Sequence, residues 1–175
     1  MLNIITTNTA YFCVALFFFS IQTLAESQNT EYGYLEPIYL ADGQLELHAK
    51  LDTGAKTASL YATNIKIYTH GKQKWVRFTI TKTKTSSAIS IQRPLLKLSK
   101  IKMRALSKGH ADIRPVVSMT ICLGNKLKKV SVNLANREGF NYPLLLGRDA
   151  IIEFNGIINP AKSFTKKPCS VHVAY

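Results

Sequence analysis

The chain has 175 residues, with 23 Lys and Arg against 10 Asp and Glu, and a formal net charge of +13. This length allows one domain with a real hydrophobic core and excludes two domains of ordinary size. The charge favours an anionic partner, such as an acidic peptide, a polyanionic envelope polymer, lipid head groups or nucleic acid, but alone it describes only solubility and encounter.

The first 25 residues have the pattern of an export signal. No charged side chain precedes Glu26, the apolar run of residues 10–21 is short for a membrane span, and Thr-Leu-Ala at residues 23–25 offers a small-residue cleavage site. We therefore expect a signal peptide of residues 1–25 and a mature domain of residues 26–175 in the periplasm or outside the cell. Because no Lys or Arg precedes the apolar run, an uncleaved membrane anchor is the alternative.

The first predicted element of the mature chain is a β-hairpin over residues 34–51. Two apolar runs flank Asp42-Gly43, a dipeptide that fits a type I′ turn. In the second run the alternate residues from Leu45 to Leu51 are apolar, so they should face one side of the strand.

Later runs with a period of two, or rich in β-branched residues, predict strands at residues 74–80, 87–92, 100–106, 114–124 and 128–135. A helix of one or two turns is predicted only within residues 147–156, beginning at Arg148 and Asp149 and ending near Asn155-Gly156. These elements predict an all-β fold with one short helix near the C-terminus.

A cationic face is predicted for the strand near residue 100, where Lys100, Lys102 and Arg104 alternate with apolar residues. One interpretation is an edge strand whose lysines prevent pairing with other chains. The other is a basic substrate face, a flap that lies over an anionic ligand.

Two cysteines remain once the signal peptide, which carries Cys13, is removed. In an oxidising compartment Cys122 and Cys169 can pair as a disulfide. Two separate buried thiols are the alternative, because the sequence does not give the distance between them.

An isolated carboxylate, Asp52, directly follows the second strand of the hairpin and begins the segment Asp-Thr-Gly-Ala. A second segment, YPLLLGRDAI, carries an apolar strand into Gly147 and a short helix. Together these segments resemble the retropepsin-like aspartic proteases. The resemblance is closer still to a bacterial branch labelled ATP-dependent zinc proteases, which has counterparts of AKLDTGAKTASLYA, RPVVSMTICLG and YPLLLGRDAI in the same order. It covers residues 34–159.

The label of that branch finds no support in the residues. The chain has no G-x-x-x-x-G-K-[ST] loop for ATP phosphates and no H-E-x-x-H pair for zinc, and its four histidines are scattered. We therefore predict no ATP, no zinc or other metal, and no cofactor.

The resemblance implies a closed acid-protease β-barrel and an aspartic endopeptidase. That chemistry uses two adjacent carboxylates, one ionised to activate water and one protonated to donate to the scissile carbonyl. Because the chain has one Asp-Thr-Gly and is too short for two lobes, the resemblance implies a homodimer in which each subunit contributes Asp52 as the catalytic acid or base.

The resemblance also implies roles for the residues that follow Asp52. Thr53 would hydrogen-bond across the two loops of the dimer, and Gly54 would let the backbone approach the carboxylates. Ala55 stands where cellular aspartic proteases commonly have serine. Without that hydroxyl the carboxylates lose one hydrogen bond that favours their charged form, so we expect activity nearer neutral pH.

For the second segment, the resemblance implies that Gly147 lies in the strand packed behind the Asp-Thr-Gly loop. Arg148 and Asp149 would help to fix the dimer interface. The alternative for these two residues is a simple helix start, in which an acid in the first turn is favoured by the helix dipole.

Two functions are therefore considered. The first is an exported dimeric aspartic endopeptidase that cuts an acidic peptide attracted by the basic segment. The second is a catalytically inactive binding module whose basic face holds an anionic envelope polymer or peptide. Nucleic acid is not expected as a partner, because the chain has one Trp and no motif of interleaved aromatic and basic residues.

Overall fold

The computed structural model describes residues 28–81, 88–101 and 112–169. The strands within these ranges are β1 (Thr30–Gly33), β2 (Leu35–Leu40), β3 (Leu45–Asp52), β4 (Ala58–Tyr61), β5 (Thr63–His70), β6 (Gln73–Ile80), β7 (Ile89–Pro94), β8 (Lys97–Ile101), β9 (Asp112–Leu123), β10 (Lys126–Ala135), β11 (Leu144–Gly147) and β12 (Gly156–Asn159). One short helix, α1 (Arg148–Glu153), follows β11. The predicted all-β fold with a short helix near the C-terminus is confirmed. The predicted signal peptide lies outside the described residues.

Six strands form a closed barrel in the order β10, β4, β11, β3, β2 and β9, and β9 pairs back with β10. Because the barrel is closed, each of these six strands pairs with a neighbouring strand on both sides. Strand β8 pairs with β9 and ends the order, so it is the edge strand of this sheet in the described part of the chain. A second sheet of β5, β6 and β7 is antiparallel.

The interior of the barrel is apolar, as the alternation in β3 predicts. Leu45, Leu47, Ala49 and Leu51 are buried, while the intervening residues face outward. They share one continuous core with inward residues of β9 and β10 and with Phe78 of the second sheet. The alternation of apolar and polar residues along β3 therefore predicts which face of the strand points into the barrel.

The hairpin of β2 and β3 is confirmed, but its predicted type I′ turn is wrong. Leu40 pairs with Leu45, so the connection has four residues rather than two. It contains a 3-10 turn at Ala41–Gly43, and Gln44 closes it in the left-handed conformation with φ 49°.

The longer turn is explained by contacts that Asp42 makes with distant strands. Its carboxylate accepts a hydrogen bond from the backbone N–H of Thr120 in β9 and pairs with Arg93 of β7. Because these partners are remote in the sequence, the dipeptide Asp42-Gly43 alone could not reveal them.

The chain ends of the described domain are fastened together. Strand β1 pairs in parallel with β12. The buried carboxylate of Glu36 accepts hydrogen bonds from the backbone N–H groups of Gly33 (2.6 Å), Thr165 (3.1 Å) and Lys166 (2.9 Å). A disulfide joins Cys122 to Cys169, with their Cα atoms 6.1 Å apart.

None of the helices in the described ranges has the length and apolar character that a membrane span requires. The location of the protein therefore stays a prediction from its N-terminal sequence.

Candidate active site

Asp52 is the last residue of β3 and lies beside Gly147, the last residue of β11. The two strands are parallel, so both end at the same edge of the barrel. This pairing brings the Asp-Thr-Gly-Ala segment and the Gly-Arg-Asp segment together, as the sequence resemblance implies.

The carboxylate of Asp52 is held by the turn that follows it. Its Oδ1 atom accepts hydrogen bonds from the backbone N–H groups of Gly54 at 3.0 Å and Ala55 at 3.3 Å. Its Oδ2 atom lies 4.0 Å from Nζ of Lys50, and the side chain is 30% exposed. One oxygen is thus fixed in direction while the group stays accessible to water and to a ligand.

Arg148 holds the loop after Asp52 from its other side. Its Nη1 atom donates to the backbone oxygens of Thr53 at 3.0 Å and Gly54 at 3.3 Å, and its backbone N–H donates to Ala55 O at 2.8 Å. These contacts lie within one subunit. A role for Arg148 at a dimer interface stays a prediction.

Asp149 contributes its backbone to the same support. Its N–H donates to the oxygen of Lys56 at 3.1 Å, and its exposed side chain lies in the first turn of α1. The helix start proposed as an alternative for this segment is present, so Arg148 and Asp149 both begin a helix and hold the loop.

Glycine at position 147 is required by the close approach of the loop. A Cβ atom there would lie 2.7 Å from the oxygen of Thr57 and 2.8 Å from the oxygen of Lys56. At Gly54 an added Cβ would lie 3.2 Å from Asp52 Oδ1. Gly147 therefore lets the backbone of the Asp52 loop approach β11, and Gly54 leaves room for the Asp52 carboxylate.

A polar network that the sequence did not predict anchors the far end of this loop. Asn133 is buried in β10 and donates to Ala58 O at 2.6 Å and Thr57 Oγ1 at 3.4 Å. Its own oxygen accepts from Arg114 Nη1 at 3.3 Å, and Arg114 pairs with Asp112. The sequence shows Asn133 as a polar residue within a run of apolar residues, but it does not show which strand lies beside Asn133.

Sequence reasoning also missed Arg137, which follows β10. This side chain is only 8% exposed, and its guanidinium carbon lies 4.2 Å from the ring centroid of Phe140. Burial lowers the pKa of the Arg137 guanidinium below its usual value, the charge of Arg114 lowers it further, and the charge of Asp52 opposes both effects. Arg137 is therefore a buried cation within electrostatic reach of Asp52.

The predicted basic substrate face is described only in part. Lys100 is exposed on β8, whereas Lys102 and Arg104 lie outside the described residues. Two other residues of β8, Lys97 and Ser99, line a polar cleft of about 250 Å³ together with Thr57, Asn133 and Asp149. Within residues 28–81, 88–101 and 112–169, no group of three or more His, Cys, Asp or Glu side chains is arranged to hold a metal ion.

Comparisons with known proteins agree with this geometry. Residues 31–168 match the family described as RimB-like, retropepsin-like aspartic endopeptidase RimB. A crystal structure of a protein of unknown function from Legionella pneumophila subsp. pneumophila str. Philadelphia 1 is 46% identical to this chain, with a TM-score of 0.70. That match covers 80% of this chain and 100% of the Legionella chain.

Curated relatives with a different name are similar to the same chain. The probable alpha-L-glutamate ligase of Desulfotalea psychrophila is 31% identical over 117 residues, which are 66% of this chain and 24% of the relative. The protein of the same name from Shewanella pealeana is 29% identical over 118 residues, 67% of this chain and 25% of the relative. This chain thus spans about a quarter of the length of the curated relatives it matches.

Proposed function

The chain belongs to the RimB-like family of retropepsin-like aspartic endopeptidases, and we propose that it is itself an aspartic endopeptidase that acts as a homodimer. The observation that carries the proposal is the position of the Asp52 carboxylate, which accepts hydrogen bonds from two backbone N–H groups. The loop that begins at Asp52 is in turn supported by Gly147 and Arg148. An Asp-Thr-Gly turn alone would not explain this support from a second segment of the chain.

Peptide hydrolysis by this site requires a second carboxylate. Asp52 of one subunit, ionised, would remove a proton from water, and Asp52 of the partner subunit, protonated, would donate to the carbonyl oxygen of the scissile bond. Two carboxylates at close range share one proton because both cannot ionise together, so they titrate as a pair. A two-fold axis beside Asp52 would supply this pair from identical loops.

An acidic peptide fits the charge of the protein as a substrate. The formal net charge of +13 would draw anionic chains toward the molecule. The curated relatives are named probable alpha-L-glutamate ligases, and this chain is similar to about a quarter of their length. Because their name links them to glutamate, we take glutamate-containing peptides as substrates for a hydrolase related to part of them. We propose peptides rich in glutamate as the first substrates to test.

The compartment belongs to the same proposal. The export signal predicted at residues 1–25 would place the enzyme in the periplasm or outside the cell, where the Cys122–Cys169 disulfide would be stable. Fractionation of cells that express the full chain, followed by mass spectrometry of its N-terminus, tests this location. An N-terminus at Glu26 supports cleavage, and recovery of the intact N-terminus in membranes supports the anchor.

The first test is cleavage of a diverse peptide mixture by the full chain and by its Asp52→Asn variant, at pH values from about 4 to about 8. New peptide termini, identified by mass spectrometry, are expected with the native chain and not with the variant. Equal termini from both proteins would contradict the proposal. The same pH series with Ala55→Ser tests the expectation that Ala55 moves activity toward neutral pH, since an unmoved optimum in that variant would count against it.

Absence of cleavage at every pH, combined with tight binding of an anionic polymer by both proteins, would instead support the binding module. The excess of Lys and Arg is the feature that keeps this second candidate in view. Its binding should survive Asp52→Asn because the lysines, and not the carboxylate, would carry it.

A further inference from the structure

The sheet of β5, β6 and β7 has one face toward the core and one face toward solvent. Val76, Phe78 and Ile80 of β6 are buried in the hydrophobic core. Trp75 and Arg77 alternate with them and therefore lie on the opposite side, which we call the outer face. The residues of β5 and β7 that pair with Trp75 and Arg77 share this side. All of them are exposed or half-buried, so the outer face is open to a partner.

A row of flat, largely apolar side chains crosses the outer face. Tyr68 pairs with Trp75, and Trp75 pairs with Pro94. Adjacent strands are about 4.8 Å apart, so this central row is about 10 Å long. His70 contacts Trp75 edge to face, with ring centroids 6.1 Å apart, and the Tyr68 hydroxyl donates to Gln92 Oε1. Both aromatic rings are therefore held in position before any ligand arrives.

A second row, beside the first, is basic and polar. Lys66 pairs with Arg77, and Arg77 pairs with Gln92, and all three side chains are exposed. This basic row lies two residues further along the strands, about 7 Å from the central row. The guanidinium carbon of Arg77 also lies 5.5 Å from the ring centroid of Tyr68. The sequence has no Asp or Glu from residue 63 to residue 94, so no carboxylate of this sheet neutralises the basic row.

The two rows restrict the chemistry of the partner. Flat rings stack on aromatic side chains, and negative groups pair with Lys and Arg. The outer face also exposes the neutral hydrogen-bonding groups of Gln73, Ser90 and Gln92, which outnumber the cations Lys66 and Arg77. This balance fits a chain of ring-shaped units that is rich in hydroxyl groups and carries a negative charge on some of them. It fits a nucleic acid less well, because a nucleic acid has a phosphate on every unit.

We propose that the outer face binds an anionic polysaccharide, with its sugar rings on the central row and its carboxylates on the basic row. This surface is distinct from the Asp52 site and from the basic substrate face predicted around Lys100, which belongs to β8. The inference does not depend on the proposed function, because the protein would bind the polymer whether or not Asp52 cleaves peptides. Aromatic and basic residues that form no linear motif in the sequence are thus interleaved across three strands.

The single Trp of the chain, Trp75, supplies the signal for the test. The probe is a hexamer of galacturonic acid, titrated into the full chain at physiological ionic strength, where attraction between distant charges is screened. We expect a saturable change in the emission of Trp75. The fully methyl-esterified hexamer has the same sugar rings without the charge, and it should bind at least about fivefold more weakly.

Variants identify the face that is responsible. Lys66→Gln and Arg77→Gln should each weaken binding of the acidic hexamer by about fivefold and leave the affinity for the ester nearly unchanged. The matched control is Lys74→Gln, because Lys74 is also exposed but lies on the other face of the same sheet. That control should bind both hexamers as the native chain does. Trp75→Ala, measured by calorimetry, should lose binding of both.

Thermal unfolding separates recognition from a structural role. Because Lys66 and Arg77 are exposed, Lys66→Gln and Arg77→Gln should change the melting temperature by no more than about 2 °C. A large fall in both would overturn the proposal, since the basic row would then serve the fold. If Trp75→Ala does not fold, the comparison of Lys66→Gln with Lys74→Gln still decides between the two faces.

The remaining outcomes also support or overturn the inference. It is overturned if the acidic hexamer does not bind, if the ester binds equally well, or if Lys66→Gln and Lys74→Gln weaken binding alike. Tighter binding of single-stranded oligothymidylate than of the hexamer would assign the outer face to nucleic acid instead. Failure of the proposed function is read separately, because Asp52→Asn should abolish cleavage and leave binding of the acidic hexamer unchanged.

Discussion

Gly147 is the residue on which the position of Asp52 depends most directly. Its lack of a side chain lets the backbone of Lys56 and Thr57 pack against β11, and this contact sets the distance between the Asp52 loop and the strand behind it. A backbone oxygen cannot rotate away as a side chain can, so the site has no means of absorbing a larger residue here.

We predict that Gly147→Ala destabilises the protein by about 3 kcal/mol and removes cleavage activity. The added methyl group would lie 2.7 Å from Thr57 O, so the loop must move. Chemical denaturation measures the stability. The matched control is Gly139→Ala, where an added Cβ meets nothing within 4 Å. Equal stability of the two variants would show that the loop tolerates displacement.

The residues of the candidate site divide by whether a local motif carries them. Asp52, Gly147 and Arg148 belong to segments that resemble a known family, so the sequence predicts their meeting. Asn133 and Arg137 do not, because their importance depends on which strands lie beside them. An Arg in a polar loop is ordinarily exposed, whereas Arg137 is buried and stacked on Phe140, a contact that the sequence alone does not show.

At the scale of elements, the strands with strong patterns were predictable and those that depend on their partners were not. Strand β3 alternates between buried and exposed residues, β9 is a long strand rich in apolar residues, and β10 is a long strand whose second half is mostly buried. By contrast, β1 and β12 have four residues each and pair across almost the whole described chain. A pairing over that separation leaves no local period from which it could be read.

An ionic contact at the end of β12 gives this pair of strands a dependence on pH. The carboxylate of Glu31 accepts from Lys162 Nζ at 2.8 Å and from Asn159 Nδ2 at 3.2 Å. The hydrogen bond from Lys162 and then that from Asn159 lower the pKa of Glu31 below its ordinary value of 4.5. Its contribution to stability is therefore complete above that ordinary value and is lost as the pH falls through the lower folded-state value.

We predict that Glu31→Gln lowers the melting temperature slightly at neutral pH and that this difference disappears in acid. The effect should be small and should shrink in high salt, because Glu31 is exposed. Thermal unfolding at a series of pH values measures it. Glu138→Gln is the control, since the side chain of Glu138 has no ion pair within the described residues. A difference that stays constant with pH would contradict the assignment.

At the scale of the whole molecule, the closed barrel places one Asp52 at one edge, and under the proposed function another copy would supply the second carboxylate. The class of barrel was predictable because its segments occur in a known order. The order of the strands around it was not, since one sequence does not state which strands lie side by side, such as β4 between β10 and β11.

Mixing active and inactive subunits tests whether two copies share one site. If native chain and Asp52→Asn are co-refolded in equal amounts, half of the dimers combine both types and only about a quarter contain two native subunits. We predict that cleavage activity falls to about a quarter of that of the same total amount of native protein. A fall to about a half would mean that each subunit works alone. Sedimentation measures the dimer directly.

The support of the Asp52 loop comes from residues that are made long after the loop itself. Thr53 and the Arg148 that holds it are 95 positions apart, so a ribosome or a translocation channel releases the loop well before its partner strand arrives. Until then Asp52 has neither Gly147 behind it nor Arg148 across its turn. The order of synthesis therefore leaves the Asp52 loop without this support in every unfinished chain, and an interrupted chain carries Asp52 on an unsupported loop.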